Sequence, residues 1–465
     1  MKQGLLVGVL ILSCLALSAS AQSPSISPLP SDAQIRQILA DRIDTQKQAV
    51  GIVVGVIDAQ GRRIIAHGSP AKGDQRSLDG DTVFEIGSIT KVFTALLLAE
   101  MAERGEVALS DPVAKYLPEG VSVPERGGLT ITLEHLAAHT SGLPRLPTNL
   151  KPQDAANPYA DYSVEQLYEF LAGYELPRDI GAQYEYSNLG GGLLGHVLAL
   201  RAGMAYETLV RSRIGEPLRM KSTGIALSPE MKARLAVGHN AALDAAPNWD
   251  LPTLAGAGAL RSSGNDMLMF LAAMLGHTES PLRPAVATTL AARKPTPVPD
   301  LEIALGWHIW LRGAKEVIWH NGGTGGYRSF AGFDPKARVG VVVLSNTFTP
   351  AGVDDIGRHL LDSQSPLIEP PKQRQEISVD PELFDRYVGR YQLAPTFILT
   401  ITREGDRLFA QATGQGKAEI FAESEREFFY KIVNAQLTFE VDGEGHTTQL
   451  TLHQNGRHMP AKRIE

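Results

Sequence analysis

The stretch FEIGSITKVFTALLLAEM, Phe84 to Met101, decides how the chain is read. It sets Ser88 and Lys91 at the head of an apolar run: Val92, Phe93, Ala95, Leu96, Leu97, Leu98 and Ala99. That run is too apolar for a surface helix, so the sequence predicts a buried one. A lysine rooted in such a helix must reach solvent or use an altered pKa, because an unpaired buried ammonium is costly. The i, i+3 spacing puts Ser88 and Lys91 on one helix face. Ser88 then lies at the N-terminal end, where free N–H groups and the helix dipole favour an anion. An N-cap serine followed by a snorkelling lysine is the competing reading, and this motif alone does not choose between them. The same spacing recurs at Ser69 to Lys72, where Pro70 and Gly73 deny it a helix; that copy reads as a loop.

Two further elements lie far along the chain. In AQYEYSNLGGGLLGHVL, Ala182 to Leu198, Tyr186-Ser187-Asn188 precedes a Gly-rich helical start. A tyrosine beside a cationic lysine can be held as, or pass through, a phenolate and accept a proton. Asn188 can offer its amide to a substrate carbonyl and to Lys91. In VIWHNGGTGGYRS, Val317 to Ser329, His320-Asn321-Gly322-Gly323 ends a predicted strand. Glycine there lets a substrate lie along the backbone, and a free N–H can face an oxyanion. Taken singly, these elements would read as a core tyrosine with a turn asparagine, and as a glycine-rich hairpin turn.

Taken together and in this order, the three elements resemble the serine β-lactamase and penicillin-binding protein superfamily. The similarity is greatest to its class C β-lactamase-like branch, which also holds DD-peptidases, D-aminopeptidases and esterases. It spans about Ala33 to Leu361 and includes LSDPVAKYLP (Leu109 to Pro118), LEHLAAHTSGLP (Leu133 to Pro144) and AGAGALRSSGNDMLMF (Ala255 to Phe270). The resemblance implies that Ser88 is the acylated nucleophile, that Lys91 helps activate it, and that Tyr186 shuttles the proton. It implies that Asn188 positions the substrate amide and that the N–H groups of Ser88 and Gly323 form the oxyanion hole. His320, Asn321 and Gly322 are the further substrate-binding candidates. Here the chain departs from the Lys-Thr-Gly of many β-lactamases, whose lysine and hydroxyl help bind the β-lactam carboxylate. The departure leaves serine hydrolysis intact and opens esterase, D-aminopeptidase, DD-peptidase or slow-turnover penicillin-binding activity beside β-lactam opening.

The expected fold is α+β. Strands open the region at Val50 to Asp58 and Arg62 to Gly68, and close it at Glu316 to Gly323, Tyr327 to Asp334 and Val339 to Asn346. Helical patterns lie between them, so one antiparallel sheet built from both ends is expected, flanked by helices with an inserted helical lobe. The polar, Pro-containing stretch 367–378 reads as a linker after a hydrolase domain over 22–366. Residues 379–465 alternate in short strands with Gly turns, an all-β meander resembling the lipocalin-like domain attached to some of these hydrolases.

Composition supports a globular chain of 465 residues, 43% hydrophobic and 20% charged. Its net charge of -7, without a basic run, gives no encouragement to nucleic-acid binding. Residues 1–21 read as a signal peptide, with Lys2, an apolar core from Leu5 to Leu17 and a cleavage signal at Ala19-Ser20-Ala21. The apolar stretch is short for a membrane span. The expected location is therefore periplasmic or secreted. Cys14, the only cysteine, is a second-choice lipidation site; once the signal is cleaved, neither disulfides nor a thiol nucleophile remain. The expected partner is a small-molecule or peptide-like substrate, a β-lactam or a D-amino-acid amide or ester, and a homo-oligomer is compatible with the sequence. No cofactor and no metal are expected, since zinc-ligand spacing is missing; His139, His239 and His320 are the histidines whose approach in the fold the sequence leaves open.

Overall fold

The computed structural model describes residues 29–464 except 314, 369–373, 395, 396, 414, 432, 434, 455 and 456. The signal peptide, Cys14 and the centre of the expected linker lie outside the described residues. The chain separates into two compact units, Met1–Ile368 and Glu369–Glu465.

The first unit is built on an eight-stranded antiparallel sheet. Its order is Gly61–Gly68, Gly51–Asp58, Val339–Ser345, Arg328–Asp334, Lys315–Gly323, His308–Arg312, Leu301–Ile303 and Lys294–Pro295. The first hairpin of the chain thus pairs with the last strand of the sheet, Ile52 opposite Ser345 and Ile57 opposite Gly340. The helical lobe expected between the early and late strands is present.

Both faces of the sheet are covered, which is why its central strands read as continuous apolar runs. Along Gly51–Asp58, Val53 and Ile57 pack into the core beneath the helical lobe. Ile52, Val54 and Val56 pack into a second core on the other face, with Ile35 and Leu39 of helix Asp32–Ala40 and Ile356 and Leu360 of helix Asp354–Leu361. The same alternation governs Lys315–Gly323: Ile318 faces the lobe, and Val317 and Trp319 face away. The period of two therefore turns His320 and Gly322 toward the lobe and Asn321 away from it.

The helix that follows Ser88, Thr90–Glu103, is buried nearly all round, Lys91 included. Phe93 stacks on Phe270 at 4.3 Å, fixing it in the lobe-side core. The Gly-rich start of helix Asn188–Ala202 allows close packing: a Cβ at Gly195 would stand 2.7 Å from the Gly256 Cα, and one at Gly191 would stand 3.1 Å from the Lys91 Cε. The first contact is with backbone that cannot yield; the second shows that this helix makes room for the lysine stem.

The second unit is a closed antiparallel barrel of eight strands, from Gly389–Ala394 to Arg457–Arg463. Closure removes exposed strand edges. Its inside is filled by aromatic rings: Tyr387 stacks on Phe439 at 4.4 Å, and Phe428 meets both rings edge-on. Tyr391 and Leu437 complete this packed core.

Candidate active site

Ser88 sits in a 3-10 turn, Gly87–Ile89, directly before helix Thr90–Glu103. The helix has no side-chain cap, so the N-cap reading of Ser88 fails. Gly87 adopts a φ of +49°, and a Cβ there would lie 2.7 Å from the Gly323 nitrogen. A Cβ at Gly322 would fall 2.0 Å from the Ile86 carbonyl oxygen. Two glycines, Gly87 and Gly322, thus let the end of strand Lys315–Gly323 press against the serine turn, bringing the Gly323 N–H beside Gly87, the residue before Ser88.

Lys91 does not snorkel. It is 3% exposed, and its Nζ donates to Ser88 Oγ at 3.1 Å, Asn188 Oδ1 at 2.9 Å and the Ala257 carbonyl at 2.7 Å. All three partners are neutral. Burial, reinforced by the charge of Arg145, pushes the Lys91 pKa far below its ordinary value. The amine is therefore available as a base against the serine hydroxyl.

Tyr186 lies across the same pocket, with Lys91 Nζ 4.9 Å from its ring centre. Burial pushes its pKa up to about 12, against the opposing pull of a hydrogen bond with Ser88 and of Arg145. Of the two states considered for it, the resting phenol is the one this environment favours, and a phenolate is a transient. Ser187 is structural: it caps helix Asn188–Ala202 through the Gly190 N–H at 2.8 Å. Asn188 turns its Oδ1 to Lys91 and its Nδ2 toward the Tyr159 hydroxyl at 3.4 Å. Those two contacts fix the amide orientation.

His320 is fully buried. Its Nδ1 lies 2.6 Å from the Asn321 carbonyl, so that nitrogen carries the proton. Its ring centre is 6.2 Å from that of Tyr186 and 5.2 Å from that of His308. Burial first, then the nearby His308 and Lys91, push its pKa well below the ordinary imidazole value. His320 is therefore a neutral ring at pH 7, in a place where the Lys-Thr-Gly pattern has a cation.

Two of its neighbours were not assigned from sequence. His139 packs on Tyr186 at 4.6 Å and accepts from the Ser187 N–H at 3.2 Å. His308 pairs with the Tyr184 hydroxyl at 3.0 Å, and burial lowers its pKa to about 4. Of the three histidines left open, His139 and His320 converge on Tyr186, whereas His239 is tied to the Asn346 carbonyl and the Lys72 N–H. The Ser69 to Lys72 segment is a loop, as its Pro and Gly require. Among the described residues no group of three or more His, Cys, Asp or Glu is suited to hold a metal. Asn321 stands apart from the candidate set: its side chain donates to Asp354 on the opposite face of the sheet. What it turns toward the site is its carbonyl, which orients His320.

A family model, Beta-lactamase, matches residues 32–364. The chain belongs to the β-lactamase family. As a member of the β-lactamase family it is a serine hydrolase of the β-lactamase and penicillin-binding protein type, acting on small-molecule or peptide substrates. A second model, a domain of unknown function (DUF3471), matches residues 373–463. This β-lactamase-family chain is 30% identical over 393 residues to the D-alanyl-D-alanine-carboxypeptidase/endopeptidase AmpH of Escherichia coli, covering 80% of this chain and 100% of the relative. It is 26% identical over 441 residues to penicillin-binding protein 4* of Bacillus subtilis, covering 88% and 94%. Among solved structures it resembles the β-lactamase/D-alanine carboxypeptidase of Yersinia pestis, with a TM-score of 0.64, 26% identity, and 73% of this chain and 99% of the other covered. No described helix is long and apolar enough to cross a membrane.

Proposed function

We propose that this chain is an exported hydrolase that opens β-lactams or cuts related D-amino-acid amides through an acyl-enzyme on Ser88. The observation that carries the reading is the 3.1 Å contact between Ser88 Oγ and a buried lysine whose three partners are all neutral. Lys91 takes the hydroxyl proton as Oγ bonds to the substrate carbonyl carbon. The negative charge on the carbonyl oxygen is received by the N–H groups of Ser88 and Gly323, each such donor being worth about 3 kcal/mol in the transition state. Tyr186, a phenol at rest, gives its proton to the departing nitrogen as the C–N bond breaks, and the proton held on Lys91 replaces it. A water then attacks the ester, passes its proton into the same pair, and frees Ser88. Asn188 Nδ2 holds the substrate's amide carbonyl.

The preference for D-amino-acid amides is supported by the relatives, two of which are named as D-alanine carboxypeptidases. The export signal in residues 1–21 supports a periplasmic or secreted location. A second reading, esterase activity, is favoured by the neutral, buried His320 in place of a lysine. Steady-state and burst kinetics on a D-Ala-D-Ala peptide, a chromogenic β-lactam and a neutral activated ester separate these. Sustained turnover of the peptide or β-lactam is expected. Turnover of the ester alone would favour the esterase, and a stoichiometric burst without turnover would favour a penicillin-binding protein.

A further inference from the structure

Arg145 stands over the ring of Tyr186, with its guanidinium carbon 5.0 Å from the ring centre. The residue is exposed, and among the described residues no hydrogen bond or ion pair engages its guanidinium. Its backbone is held firmly: the Arg145 carbonyl accepts from the N–H groups of Asn188 and Leu189 at 3.0 and 3.2 Å. The loop therefore carries a cation without a counter-ion to the rim of the site, at a place set by the same residues that place Asn188. Contact with the ring holds the guanidinium there without neutralising it.

The surrounding field has one sign. With Lys91 and the three histidines neutral and Tyr186 a phenol, the permanent charges acting on this cluster are the guanidinium groups of Arg145 and Arg358. Of these two, Arg145 stands over Tyr186 without a counter-ion, whereas Arg358 has Asp354 beside it; an exposed guanidinium so placed attracts anions. His320 is wholly buried and meets a carbonyl, so it does not present a charge to a ligand.

We propose that Arg145 recognises a carboxylate on the substrate, taking over the selection that position 320 does not supply. The proposal rests on the Ser88 acyl-enzyme reading above. A guanidinium matches a carboxylate with two parallel N–H donors, a geometry that a lysine ammonium lacks. Arg145 then sets selectivity among substrates that share one scissile bond, and contributes to their binding rather than to the bond-breaking step.

The test uses the full chain and two D-aminoacyl amide substrates identical except that one ends in a free carboxylate and the other in a primary carboxamide. For Arg145→Gln, the ratio of kcat/KM for carboxylate over carboxamide is expected to fall about 10- to 100-fold, mainly through KM. Arg145→Lys is expected to restore part of that ratio. An equal loss on both substrates, with a displaced pH profile, would overturn the proposal and leave Arg145 as a charge acting on Tyr186. An unchanged ratio would overturn it as well. Acylation by a neutral activated ester is measured in parallel. If the wild-type chain forms no Ser88 adduct with any substrate, the underlying hydrolase reading falls; if it does and the ratio stays fixed, only the Arg145 proposal falls.

Discussion

Replacing Lys91 by arginine separates a base from a fixed cation. Arginine keeps the positive charge but does not give up its proton at working pH. If Lys91 serves as the neutral acceptor of the Ser88 proton, Lys91→Arg loses general-base assistance, a factor of roughly 10² to 10⁴, or about 3–5 kcal/mol of barrier. Space adds to the loss. The lysine stem already runs close to helix Asn188–Ala202, where even a Cβ at Gly191 would be 3.1 Å from the Lys91 Cε. A guanidinium must push Asn188 or the Ala257 carbonyl away from its present bond. Lys91→Ala removes the base without crowding, so the two variants are expected to be similarly impaired in acylation rate. The assay is pre-steady-state acylation with a chromogenic β-lactam or activated ester, alongside thermal unfolding to establish that each variant is folded. A folded Lys91→Arg variant that keeps more than about a tenth of the wild-type acylation rate would refute the argument, since it lies far outside the expected 10²-fold loss.

Asn321→Ala should cost about 1–3 kcal/mol of stability by stranding Asp354, with little change in kcat/KM; a large kinetic loss at unchanged stability would put that side chain back in the site. The chain should lose stability as pH falls from about 6.5 toward 4, because His139, His308 and His320 are held neutral when folded but bind protons freely when unfolded. Thermal melts across that range check this, and His308→Phe should flatten the dependence. Removing the chain after Arg374 should leave a soluble, folded hydrolase unit, since the two compact units divide near Ile368; insoluble product would show that the barrel is needed for folding.

Much of the candidate site was legible because the residues that build it follow local pattern. Ser88 and Lys91 stood out since a lysine in an apolar run admits few explanations, and the structure holds that lysine among three neutral partners. The sheet built from both ends was legible from apolar runs at the two ends of the unit. Arg145, Tyr159 and His308 were not, because each reaches Tyr186 or Asn188 through tertiary placement alone. The divergence of Asn321 follows from strand alternation, a signal that was available; treating His320 to Gly323 as one glycine-rich turn concealed it. The glycines of the Asn188 helix were read only as a Gly-rich helical start; Gly191 and Gly195 are sites where Lys91 or backbone comes too close for a side chain.

The most direct test of the account is the mass and position of the acyl group. The wild-type chain is incubated with a slowly deacylating β-lactam and, separately, with an activated D-aminoacyl ester, then quenched in acid, weighed intact and mapped by proteolysis. The account predicts one added acyl group per chain, located on the peptide that carries Ser88, and none in folded Ser88→Ala. An adduct on another residue, or Ser88→Ala turning over substrate at the wild-type rate, would contradict it.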